Sequence, residues 1–105
     1  MERSRLATQE RGAQVSGRLR VVMYSTAVCP FCLRAEHLLK ARGVTEIDKV
    51  RVDLDPQRRQ EMIERTAKRT VPQIYIGETY VGGFDELTAL DHSGKLSHLL
   101  ADEVV

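Results

Sequence analysis

From Leu19 onward, stretches with the two-residue period of a β-strand alternate with stretches that have the helical period, and this alternation constrains the fold most. Short β-rich or alternating runs predict strands at residues 20–24, 49–54, 73–76 and 78–81. Apolar residues on one helical face predict helices at residues 30–42, 56–67 and 84–93, followed by a short helix around residues 96–100. The order β-α-β-α-β-β-α predicts an α/β domain in which helices pack on a mixed sheet.

The first 18 residues differ from the rest of the chain. They contain five apolar residues interrupted by two glycines, too few to offset the entropy lost on ordering. We therefore expect a disordered tail at residues 1–18 and one domain at residues 19–105. A transit peptide would also be rich in Arg and Ser, but Glu2 and Glu10 argue against it. An inert tail, or an extension from a misassigned start codon, fits better.

The charge balance excludes several function classes. The chain has 16 Lys and Arg against 15 Asp and Glu, a formal net charge of +1, so nothing forces the concentrated basic surface that nucleic acids require. No apolar run approaches the roughly 20 residues of a membrane helix or forms the apolar core of a signal peptide. We expect a cytoplasmic protein, a monomer, without nucleic-acid or membrane partners.

Two cysteines cannot make the disulfide framework of a small secreted domain, and both lie in the motif Cys29-Pro30-Phe31-Cys32. A Cys-x-x-Cys pair between a strand and a helix is typical of a thioredoxin-like redox site. Unpaired amides and the helix dipole stabilise an anion at a helix start, so we expect Cys29 to be a thiolate nucleophile, with a pKa in the range of about 3.5 to 7.5. Cys32 points inward and is expected to be the resolving thiol.

Zinc binding is the competing interpretation of the cysteine pair. A zinc site needs four ligands at short spacing, and the chain adds only His37, His92 and His98. His37 falls on the helix face opposite Cys32, and the other two lie about 60 residues beyond it. All three are expected to be surface residues, with no metal site.

Two further motifs, at residues 69–72 and 82–85, can each be interpreted either as ordinary local structure or as part of a binding site. Pro72, in Arg69-Thr70-Val71-Pro72, is either an ordinary strand-start proline or a cis proline whose neighbouring backbone pairs with substrate. In Gly82-Gly83-Phe84-Asp85, two glycines precede a helix start. Taken alone this is a turn with an N-terminal acid, but free amides there also form an anion site and Asp85 can take a cation.

Together, C-P-F-C after a strand, T-V-P about 40 residues later and G-G-F-D about ten residues further on resemble a dithiol glutaredoxin of the short bacterial kind. The resemblance spans about residues 21–100. It implies a thioredoxin fold, a four-stranded mixed sheet with helices on both faces. It also implies glutathione as reductant and co-substrate, with no bound cofactor, and glutathionylated or disulfide-containing proteins as partners.

Carried over by motif, the resemblance assigns a binding role to seven residues. Thr70, Val71 and a cis Pro72 would pair with the cysteinyl backbone of glutathione. Gly83, Phe84 and Asp85 would hold its γ-glutamyl carboxylate and ammonium, and Arg69 would neutralise its glycyl carboxylate. The catalytic pair is Cys29 and Cys32.

The chain departs from the family pattern at two positions. Phe31 replaces a common Tyr, which loses a hydroxyl and keeps the ring. Thr26 stands where a Lys often helps to stabilise the thiolate and bind the glycyl carboxylate, so either Arg69 and Lys68 suffice or glutathione binds more weakly.

Two alternatives share the fold. A thioredoxin-like protein served by a flavoprotein reductase would lack Gly83 and Asp85 as a glutathione clamp. A carrier of a glutathione-ligated [2Fe-2S] cluster would join two chains through Cys29, a role that usually goes with a single cysteine in the motif.

Overall fold

The computed structural model describes residues 20–101, which form four strands and four helices in the predicted order. The strands are β1 (Val21–Ser25), β2 (Asp48–Arg51), β3 (Gln73–Ile76) and β4 (Thr79–Gly82). The helices are α1 (Pro30–Ala41), α2 (Pro56–Thr66), α3 (Phe84–His92) and α4 (Lys95–Ala101). The predicted tail at residues 1–18 lies outside the described residues and stays a prediction.

The sheet is mixed and has the strand order β2-β1-β3-β4. Strand β1 runs parallel to β2, with Tyr24 opposite Val50, and antiparallel to β3, with Met23 opposite Ile74. Strands β3 and β4 form an antiparallel hairpin with an irregularity at Ile74 and Tyr75. The two strands that lead to the sequence motifs, β1 and β3, are therefore central neighbours.

Both faces of the sheet are covered by helices, as expected. Alternate residues of β1 and β3 enter two separate cores because side chains of a strand point to opposite faces. The larger core combines sheet residues with buried residues of α1, α3 and α4: Val21, Met23, Cys32, Ala35, Leu39, Ile74, Ile76, Val81, Leu87 and Leu96. The smaller core packs α2 on the other face: Tyr24, Val52, Met62 and Tyr75.

A tyrosine cluster lies within and beside the smaller core. The rings of Tyr24 and Tyr75 meet edge-on at 6.5 Å, and Tyr75 and Tyr80, paired across the hairpin, lie 5.1 Å apart. The Tyr24 hydroxyl donates to Glu61 and accepts from Arg65 at 2.8 Å. The guanidinium of Arg65 lies 3.9 Å from the centre of the Tyr75 ring. The contacts with Glu61 and Arg65 satisfy the hydroxyl that Tyr24 brings into this core.

Helix α2 begins as predicted and ends one residue earlier. The Asp55 carboxylate accepts the amides of Gln57 (3.0 Å) and Arg58 (3.3 Å), and Pro56 occupies the first helical position. Ala67 caps the helix in the left-handed conformation with φ 60°. The chain then turns toward the segment that carries Pro72.

Strand β2 is shorter than predicted, and this is the main correction to the fold. The alternation continues to residue 54, but the regular strand ends at Arg51, and Leu54 is exposed. Val52 is still buried and donates to the Ser25 carbonyl at 3.0 Å, after which the chain turns into the Asp55 cap. The remaining boundaries coincide with the prediction or differ from it by one residue.

Within residues 20–101, no helix has the length and apolar character that crossing a membrane requires.

Candidate active site

The two cysteines lie where β1 leads into α1 and form a disulfide. Cys29 is the N-cap residue of α1, and its sulfur accepts the Cys32 amide at 3.1 Å. Cys29 is half-buried, whereas Cys32 is 5% exposed and belongs to the larger core beside Ala35 and Leu39. This placement matches the predicted division between an accessible sulfur and an inward one.

The Val71–Pro72 peptide is cis, as the resemblance implied, and Pro72 is buried at the start of β3. Gly83, the residue before α3, lies close to it. A Cβ atom on Gly83 would lie 3.4 Å from the Pro72 carbonyl oxygen and 3.3 Å from the Glu86 carboxylate. The second and third motifs therefore meet at Gly83, where a Cβ atom would be in contact with both the Pro72 carbonyl and the Glu86 side chain.

At the amino end of α3, one of the free backbone amides has a hydrogen-bond acceptor from the same chain. Glu86 accepts the Gly83 amide at 2.8 Å, so that amide is engaged. The amides of Phe84 and Asp85 stand in the first helical turn, where an α-helix offers no acceptor of its own. Sequence reasoning missed the role of Glu86, although its place three residues after Gly83 is the spacing of a capping box.

An aromatic contact links the first motif to the third, because the rings of Phe31 and Phe84 lie 6.0 Å apart. The Phe31 side chain is 51% exposed, and the Arg34 guanidinium lies 5.5 Å from its ring centre. Phe31 thus forms one wall of a groove.

This groove has a volume of about 370 Å³ and runs between Phe31, the cis proline and the start of α3; neither Cys29 nor Cys32 lines it. Of the predicted binding residues, it includes Thr70, Val71, Pro72, Gly83, Phe84 and Asp85. Arg69 is exposed and does not line the groove, whereas its neighbour Lys68 does. Gln73, Tyr80, Val81, Gly82 and Glu86 also line the groove, and of these only Gly82 belongs to a motif that the sequence singled out.

A second, smaller cleft of about 180 Å³ lies beside both cysteines and shares no lining residue with the groove. Thr26 lines it, and its hydroxyl donates to the Val28 carbonyl at 3.4 Å. Glu36, Lys49 and Arg51 add charged side chains to the same cleft. The position that departs from the family pattern therefore lies next to the site.

The charged groups of this cleft are paired. Glu36 accepts from Lys49 at 2.9 Å and forms an ion pair with Lys40 at 3.0 Å, and these contacts hold the pKa of the Glu36 carboxyl below its usual value. Arg51 binds Asp53 with two hydrogen bonds, of 2.7 and 2.8 Å. Each cation that faces the cleft is thus matched by a carboxylate.

The three histidines, His37, His92 and His98, are all exposed, as predicted.

The fold is thioredoxin-like. Its mixed sheet has the strand order given above, a Cys-x-x-Cys pair lies at the start of a helix, and a cis proline precedes the second central strand. A disulfide between one accessible and one buried sulfur at that helix start gives the protein its class, the thiol-disulfide oxidoreductases.

The particular family follows from comparison with known proteins. The glutaredoxin family model matches residues 21–81, and the chain belongs to the glutaredoxin family. Of the sequence-based alternatives, this excludes a thioredoxin-like protein of another family.

Relatives and solved structures agree with this assignment. The chain is 48% identical over 81 residues to a glutaredoxin of Pseudomonas aeruginosa, covering 77% of this chain and 95% of the relative. It is 42% identical over 80 residues to glutaredoxin 3 of Escherichia coli, covering 76% and 95%. The structure is similar to that of a buckwheat glutaredoxin-glutathione complex, with a TM-score of 0.73, 25% identity and coverage of 81% and 79%.

Proposed function

We propose that this protein uses glutathione to reduce protein-glutathione mixed disulfides and protein disulfides. The observation that carries the proposal is the 370 Å³ groove, which extends from Phe31 of the C-P-F-C motif past the cis proline to the amino end of α3. A glutathionyl group attached to Cys29 can lie along this groove. The similarity to a glutaredoxin-glutathione complex supports the same ligand.

The groove offers a complementary group for each charged end of glutathione. The backbone of Thr70, Val71 and Pro72 is proposed to pair with the cysteinyl unit. The amides of Phe84 and Asp85, at the positive end of α3, suit the γ-glutamyl carboxylate, and the Asp85 carboxylate suits its ammonium group. Gly83 is proposed to contribute as a lining residue beside the Pro72 carbonyl.

The glycyl carboxylate requires a cation at the other end of the groove. Lys68 lines the groove, and Arg69 follows it in the exposed segment before Thr70. We therefore propose Lys68 as the direct partner and Arg69 as a longer-range contributor. Both cations lie outside the cysteine cleft, so they do not replace a lysine at position 26 beside the sulfur.

In the proposed cycle, the Cys29 thiolate attacks the glutathione sulfur of a mixed disulfide. The bond between that sulfur and the protein thiol breaks, and the protein leaves as a thiolate that takes up a proton. A second glutathione, as thiolate, then attacks the glutathione sulfur on Cys29. This releases the Cys29 thiolate and one molecule of glutathione disulfide, and Cys32 takes no part.

Reduction of a protein disulfide uses both cysteines. Cys29 attacks one sulfur and remains joined to the substrate, while the other substrate sulfur leaves as a thiol. Cys32 then attacks Cys29, frees the substrate and forms the Cys29–Cys32 disulfide that the structure contains. Two glutathiones reduce this disulfide and become glutathione disulfide. A reducing compartment such as the cytoplasm suits this chemistry, and we propose that the protein acts there as a monomer.

The decisive test couples the protein to glutathione and glutathione reductase. We expect Cys29→Ser to abolish reduction of both a glutathionylated peptide and a protein disulfide. We expect Cys32→Ser to keep the first activity and lose most of the second. Near wild-type turnover of the glutathionylated peptide by Cys29→Ser would show that the nucleophile is wrongly assigned.

A further inference from the structure

The loop between β1 and α1 is anchored to the segment that follows β2. The Ala27 amide, two residues before Cys29, donates to the Asp53 carboxylate at 3.2 Å. Next to this contact, the Val52 amide donates to the Ser25 carbonyl at 3.0 Å. The first of these contacts uses a side chain, so a single substitution can remove it without touching the sheet.

Asp53 is itself held by Arg51. The guanidinium donates from Nε to Oδ1 at 2.7 Å and from Nη2 to Oδ2 at 2.8 Å, which is the two-bonded geometry that fixes a carboxylate most firmly. These bonds and the Ala27 amide hold the pKa of Asp53 well below its usual range, so the carboxylate is ionised at neutral pH.

An ionised carboxylate this close to the site disfavours a thiolate on Cys29, because like charges repel. Arg51 lines the cleft that contains both cysteines and carries the opposite charge. The other charged groups of that cleft, Glu36 and Lys49, pair with each other at 2.9 Å. The anchor therefore adds no net charge beside the nucleophile.

We propose that Arg51 and Asp53 form a positioning pair for Cys29, in which the carboxylate anchors the loop before the nucleophile and the guanidinium cancels that carboxylate's charge at the cleft. The assignment of Cys29 as nucleophile rests on the proposed function. Neither residue of the pair lines the glutathione groove, so the pair acts on the sulfur and leaves glutathione binding alone.

The test measures the pKa of Cys29 in a Cys32→Ser background, which leaves one thiol, from the rate of alkylation against pH. Arg51→Gln exposes the carboxylate's charge and is expected to raise this pKa by about 0.5 unit, after screening by solvent. Asp53→Asn removes the charge, keeps an oxygen that can accept from Ala27, and is expected to lower it by a similar amount. In the double variant, the pKa of Cys29 is expected to be close to its value in the Cys32→Ser parent.

A second readout isolates the anchor. Asp53→Ala loses the acceptor for Ala27, and we expect kcat/KM for a glutathionylated peptide to fall about 2- to 10-fold, as for loss of one hydrogen bond, with KM for glutathione unchanged. Asp53→Asn is expected to recover most of this loss.

Arg42 and Asp91 supply a matched control. They form the same two-bonded pair, at 2.6 and 2.8 Å, between the end of α1 and α3. Asp91→Asn is expected to leave the pKa of Cys29 unchanged. Shifts of the same sign in Arg51→Gln and Asp53→Asn, no shift in either, or an equal shift in the control would each overturn the proposal. Alkylation needs no glutathione, so these outcomes are independent of the glutathione-coupled test.

Discussion

Asp85 offers the sharpest test of how the groove holds glutathione. Its exposed carboxylate lies in the first turn of α3 and lines the groove, where we propose that it binds the γ-glutamyl ammonium group. A charge-assisted contact is worth about 1.5 to 3 kcal/mol when buried and up to about 1 kcal/mol when exposed. A groove that the ligand covers only partly suggests about 1 to 1.5 kcal/mol, so Asp85→Asn should raise KM for a glutathionylated peptide about 5- to 13-fold.

The same substitution has a small structural cost. An acidic residue at a helix start stabilises the helix by about 0.3 to 1 kcal/mol, so Asp85→Asn should lower Tm by only a few degrees. The increase in KM should shrink at high salt, because the lost contact is partly screened.

Initial rates in the glutathione reductase assay, at saturating glutathione and varied peptide, measure the effect. Glu78→Gln is the matched control, since it removes one exposed carboxylate at the turn between β3 and β4, outside the groove. An unchanged KM in Asp85→Asn, with a normal melting curve, would refute the proposed ammonium contact and the ligand orientation built on it.

Three further predictions concern the cysteine cleft and the core. Thr26 lines the cleft with Cys29, so Thr26→Lys should lower the Cys29 pKa, more at low salt than at high salt, as measured by thiolate absorbance against pH; no shift would mean that the side chain at position 26 points away from the sulfur. The lowered pKa of Glu36 means that its contribution to stability is present above its usual pKa of 4.5 and is lost as the pH falls below that value. Glu36→Gln should therefore flatten the fall of the urea midpoint in acid, and an unaltered slope would contradict this. Leu39 is fully buried, so Leu39→Ala should cost about 2 to 5 kcal/mol in urea unfolding, and a loss below 1 kcal/mol would show that the core collapses around the change.

Local patterns sufficed for most of the fold because each element carries its own signal. Proline and a capping side chain mark the start of α2, and apolar spacing marks the buried face of α1. The end of β2 was not predictable in this way. The alternating pattern continues past Arg51, and the chain leaves the strand where Asp53 contacts Ala27, 26 residues earlier in the sequence.

The candidate site also has a part that local sequence patterns predict and a part that depends on the fold. The three motifs located the cysteines, the cis proline and the start of α3, since each motif is contiguous in sequence. Which of two adjacent cations faces the groove depends on the turn after Ala67, so the motif led to Arg69 as the partner of the glycyl carboxylate, whereas Lys68 lines the groove. Tyr80 enters the groove only because the hairpin places it opposite Tyr75.

The tyrosine cluster gives the protein an optical property of practical use. The chain has three tyrosines and no tryptophan, so its ultraviolet emission comes from Tyr24, Tyr75 and Tyr80 alone. Their rings are close enough to exchange excitation energy, and Tyr80 also lines the groove. A ligand that enters the groove changes the surroundings of Tyr80 and, through energy exchange, the emission of the whole cluster. We therefore expect binding of glutathione disulfide in the groove to change this emission, which a fluorescence titration of the unlabelled protein would measure.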